Sequence, residues 1–93
     1  MTQEIEKVLS EMSTLLDQNM ETSWARYIDK LRYRINIESD RTIIDIKALF
    51  GGMGSLNDLV LSKNGKPLTH ENNKLDALRK ELYELCSPYK RIG

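Results

Sequence analysis

The sequence predicts an all-α domain: a small four-helix bundle with a Gly-rich loop between helices 3 and 4, and room for a short β-hairpin there. Three observations carry that prediction. Apolar residues recur at three- and four-residue spacing in four separate stretches. Glycines cluster at 51, 52 and 54, where the third stretch stops. A chain of 93 residues holds one core, burying roughly 60–65% of its unfolded surface, so 1–93 reads as one domain.

The first stretch places Ile5, Val8, Leu9, Met12, Leu15 and Leu16 on one stripe, with Met20 one turn on. It predicts a helix over 3–18 with Thr2 as its cap and Glu4 and Glu6 favoured by the helix dipole. The second carries Trp24, Tyr27, Ile28, Leu31 and Ile35, predicting a helix over 23–36 capped by Thr22 or Ser23. Arg32 and Arg34 then lie at the favourable C-terminal end. Tyr33 falls about 200° from Leu31 around that helix and points away from the core, beside Arg26 and Lys30.

Ser39 offers a third cap before DRTIIDIKALF, where Ile43, Ile46, Leu49 and Phe50 support a helix and Gly51 a stop. The alternation Thr42, Ile44, Ile46, Ala48 also suits a strand, and helix is the favoured reading. Gly51, Gly52 and Gly54 can take positive φ. Leu59–Leu61 before Asn64-Gly65 looks like one arm of a hairpin near 58–68, weakened on the other arm by Pro67. Leu75, Leu78, Leu82, Leu85, Cys86 and Tyr89 share a face of the last stretch, a helix over 71–87 that Pro88 ends.

Composition narrows the function. Fourteen basic and fourteen acidic residues give net zero, yet residues 1–24 carry −4 and residues 25–93 carry +4. The basic footprint of a nucleic-acid binder is absent over the whole chain. No apolar run approaches the roughly 18 residues of a membrane span, and MTQEIEKVLSEM shows no signal-peptide pattern. One cysteine, Cys86, cannot form an internal disulfide, which favours a reducing, cytoplasmic setting.

Catalytic and metal chemistry find little footing. His70 and Cys86 are the only His and Cys, in no ligand spacing, so neither a metal nor another cofactor is expected. They lie about 24 Å apart along one helix, too far for a Cys/His pair. Cys86 sits on the apolar stripe and reads as core; His70 reads as solvated at a helix start. Gly51-Gly52-Met53-Gly54-Ser55 lacks the Lys of a phosphate loop, and position 57 is Asn where a dinucleotide loop needs a third glycine. Arg26, Lys30, Tyr33 and Arg34 form a basic-aromatic patch diluted by Asp29, better suited to protein than to single-stranded nucleic acid.

GGMGSLNDLVL followed by the ENNKLDALRKELYEL helix resembles a family of small uncharacterised bacterial proteins with a GGMGS-x-NDL signature, over about residues 40–86. More loosely, the chain resembles immunity proteins of contact-dependent growth inhibition. That likeness implies a cytoplasmic, non-catalytic protein that binds a toxin domain and blocks it. The expected function is therefore protein binding, with Met53, Asn57, Asp58 and Tyr33 as candidate contacts. Met53 would give adaptable apolar contact and the polar pair orientation, although Asn57 and Asp58 can equally serve turn chemistry. A ligand pocket or enzyme site at the Gly-rich loop, and a nucleic-acid-binding regulator, stand as alternatives. A homodimer is left open.

Overall fold

In the computed structural model, which describes residues 2–51 and 55–88, the chain forms α1 (Thr2–Gln18), α2 (Thr22–Arg34) and α3 (Ser39–Ala48). A 3-10 turn (Leu56–Asp58), β1 (Ser62–Lys63), β2 (Lys66–Pro67) and α4 (Thr69–Cys86) follow. Four helices with a small antiparallel hairpin between the last two match the predicted class. Gly52, Met53, Gly54 and Tyr89 lie outside the described residues.

The order of packing follows from how much apolar surface each helix carries. α1 doubles its stripe at Val8/Leu9 and Leu15/Leu16, so it has two apolar flanks and packs against both α2 and α4. Its six apolar stripe residues are all buried. α2 adds Ala25, Ile28 and Leu31, with Ile35 just beyond its end, while Tyr27 stands at the stripe's edge, partly exposed. α3 buries Thr42, Ile43 and Ile46, and so forms the helix rather than the strand that its β-branched residues also allowed. An Arg34–Asp45 pair at 2.9 Å, with Glu38 at 3.5 Å from the same guanidinium, ties α2 to α3.

Met20 departs from its expected place. It is 88% exposed with φ 65°, so it leaves the α1 stripe altogether. The Glu21 N–H donates to the Leu16 carbonyl at 2.9 Å and the Met20 N–H to Asp17 at 3.2 Å. Those two bonds define a Schellman stop, which needs a left-handed residue at the position Met20 fills.

The predicted caps are also corrected. Thr2 lies inside α1. Glu21 and Glu38 occupy the cap positions of α2 and α3, with no side-chain cap bond. The Ser39 hydroxyl instead donates back to the Ile35 carbonyl at 2.7 Å, finishing the turn after α2. α3 stops at Ala48, short of Phe50, because Leu49, Phe50 and Gly51 bond to carbonyls three residues back. Gly51 does so without entering the left-handed region.

The hairpin is real but shifted. Asn64 (φ 54°) and Gly65 (φ 78°) form its two-residue turn, whose successive positive φ values match the I′ type. Lys63 pairs with Lys66 and Ser62 with Pro67, so Leu59–Leu61 precedes the strand. The Leu68 N–H donates to the Leu61 carbonyl at 2.9 Å. That bonded pair leaves Ser62–Pro67 at a non-hydrogen-bonded position, where proline's missing donor costs nothing. Among the described residues no helix is long and apolar enough to cross a membrane.

Candidate functional site

The residues that flank the Gly-rich stretch on its two sides are fastened together. The Leu56 N–H donates to the Leu49 carbonyl at 2.9 Å, and the Leu56 side chain is fully buried. One residue further out, Asn57 Nδ2 donates to the Phe50 carbonyl at 3.1 Å. Asn57 thus performs the turn chemistry its residue type allows, while its side chain remains at the surface. Asp58 ends the 3-10 turn and is exposed.

α4 supplies the second fastening. Arg79 Nη1 donates to the Leu56 carbonyl at 2.7 Å and to the Leu59 carbonyl at 3.0 Å, and Nη2 pairs with Asp76 one turn earlier. The Arg79 side chain is only 12% exposed. A guanidinium is suited to this because its planar fork spans several acceptors and never loses its charge. Two turns toward the start of α4, the Asn72 carboxamide clasps Leu61. Its Oδ1 accepts from the Leu61 N–H at 2.7 Å and its Nδ2 donates to the Leu61 carbonyl at 2.8 Å. α4 therefore holds both the loop exit and the hairpin base.

Beside the loop exit lies an open depression of about 400 Å³ bordered by Phe50, Asn57, Asp76, Arg79, Lys80 and Tyr83. Phe50 and Tyr83 meet edge to face, with centroids 5.5 Å apart and ring planes at 74°. The result is an aromatic wall with cationic and amide groups around it, open to solvent. Among the described residues no three His, Cys, Asp or Glu side chains converge as a metal site would require. His70 is exposed in the first turn of α4. Cys86 is buried, and burial pushes its thiol up to about 11, with Lys47 acting weakly the other way.

Of the residues singled out from the sequence, the structure brings Asn57 and Asp58 together and sets Tyr33 apart. Asn57 and Asp58 share the anchored turn, and Met53 falls outside the described residues. Tyr33 is 75% exposed on α2 and borders a different depression, with Glu6, Asp29, Arg32, Asn36 and Ile37. Arg34, once grouped with Tyr33, is engaged by Asp45 and Glu38, and these carboxylates raise its guanidinium's proton affinity. Arg79, Asn72, Phe50 and Tyr83 were not among the sequence candidates. An arginine and an asparagine on a polar helix face carry no local mark of a backbone partner 11 to 23 residues away.

Comparison with known proteins adds one family. The model of a domain of unknown function (DUF6966) matches residues 17–69, more than half of the chain. This span takes in α2, α3, the Gly-rich loop and the hairpin, and overlaps the expected 40–86 only up to residue 69. No curated protein and no solved structure matches the chain.

Proposed function

The chain belongs to the DUF6966 family of unknown function, and we propose that it is a non-catalytic protein-binding domain that presents the anchored loop and the Phe50–Tyr83 wall to a partner. The observation that carries this reading is the openness of the depression beside a loop held at both ends. Small-molecule sites are enclosed and bury most of their ligand. A shallow aromatic surface with a polar rim has instead the make-up of a protein contact. Fastening the loop through Arg79 and Asn57 lowers the ordering cost of association. Asn57 and Asp58 set orientation, and Tyr83 and Phe50 supply apolar contact.

In its sharpest form the partner is a bacterial toxin domain and the chain its cytoplasmic immunity protein. With no net charge overall, steering toward a basic toxin falls to the acidic first 24 residues. An affinity pull-down of the tagged chain from its native cells, run beside a Tyr83→Ala/Asn57→Ala variant, tests the binding reading. One stoichiometric partner that the variant loses is expected. Recovery of no partner, or equal recovery by both chains, contradicts it. The immunity form is tested by expressing that partner alone and with this chain: growth arrest relieved by the chain is expected, and harmless expression of the partner alone overturns it.

A further inference from the structure

Among the described residues the four helices leave one long face uncovered, built from α1, α2 and the turn after α2. Two depressions, of about 480 and 520 Å³, run along it and share Asp29 and Arg32. No residue of α3 or α4 lines either one. At one end stand Tyr33 and Ile37, 75% and 67% exposed. The two helices carry opposite charge: α1 has Glu4, Glu6, Glu11 and Asp17 against Lys7, and α2 has Arg26, Lys30, Arg32 and Arg34 against Asp29. Of these, Glu6 and Asp17 on α1 and Arg26, Asp29 and Arg32 on α2 line the depressions, with Arg32 paired to Asp29 at 3.4 Å, so a net positive α2 side lies beside a net negative α1 side.

We propose that this face docks on a second copy of the chain, with α1 of each copy laid over α2 of the other. Charge selects that arrangement. A two-fold axis across the helices would set α1 on α1, acid on acid, whereas an axis along the helices sets α1 on α2 twice. Register follows from the hairpin itself. The Ser13 hydroxyl donates to the Ala25 carbonyl, so these residues are level. Seven residues away in each antiparallel direction, Glu6 is level with Arg32. A two-fold axis along the helices preserves level, so Glu6 of one copy arrives over Arg32 of the other, next to Tyr33.

The face is small. A 17-residue helix is about 25 Å long, and two lie about 20 Å across, or on the order of 500 Å² per copy. That is the range of weak interfaces, so the dimer is reversible and depends on concentration and salt.

Sedimentation equilibrium of the wild-type chain and two charge reversals tests this. The wild type is expected to dimerise at about 0.01 M salt and dissociate at about 1 M, as the screening length falls from about 30 to about 3 Å. Glu6→Lys/Asp17→Lys and Arg26→Glu/Arg32→Glu are each expected to be monomeric, yet to dimerise when mixed, since the mixture restores opposite charge at both contacts. Recovery on mixing also shows that both variants fold. A wild type that stays monomeric at low salt, a dimer that survives either reversal, or helical variants that fail to pair when mixed would overturn the proposal.

Discussion

Met20 and Arg79 sit in environments that their residue types do not announce, Cys86 lies in the core where its apolar stripe put it, and each gives a measurable consequence. Met20 holds a left-handed backbone that costs a residue with a Cβ about 1 kcal/mol or more. Met20→Gly is expected to raise stability by about 0.5–1 kcal/mol in urea unfolding; a loss would contradict the Schellman assignment. The Cys86 thiol is raised in the folded chain from 9.0 to about 11. Its contribution to stability is therefore complete below pH 9 and is lost as pH rises through about 11. Cys86→Val should flatten that alkaline decline, and thiol reagents should modify the native chain far more slowly than the unfolded one. Arg79→Met removes a charged donor from two loop carbonyls, for an expected loss of about 1.5–3 kcal/mol. Amide exchange at Leu56–Leu59 should rise with it, and unchanged exchange would show that the loop is held by other means.

The elements differ in how far their own sequence specifies them. α1 and α4 were legible because apolar spacing alone decides an amphipathic helix that packs along its whole length. Helical spacing also placed α3, although its β-branched residues argued for a strand. Helix ends were misread at Thr22, Ser23 and Ser39, since an available hydroxyl does not reveal which backbone group will claim it. The hairpin turn was visible in Asn64-Gly65, but its strands were set by contacts beyond the hairpin. A two-stranded unit is marginal alone, and here the Asn72 carboxamide fixes Leu61. Asn72→Leu strands the Leu61 N–H and is expected to cost about 1–3 kcal/mol. In a hydrogen-exchange experiment the loss of protection should fall on residues 61–68 and spare α1.

At the scale of the whole molecule, one helix organises two surfaces. α1 lies between α2 and α4, which leaves the α1–α2 face open on one side and lets α4 fasten the Gly-rich loop on another. A local motif singled out Asn57 and Asp58, of which Asn57 borders the depression; Phe50, Tyr83 and Arg79 carry no such motif and meet only when α3 and α4 fold against the loop. Helical spacing set Tyr33 on the outer face of α2, and there it stands 75% exposed, bordering the α1–α2 face. The central claim is that the loop and its aromatic wall meet a protein partner. The measurement that tests it most directly is photo-crosslinking in the native cells, with a photoreactive aromatic residue placed at Tyr83, at Tyr33 or at the exposed Lys74. The account predicts one heterologous adduct from position 83, none from position 74, and self-adducts from position 33. No adduct from position 83, or the same adducts from 83 and 74, would contradict it.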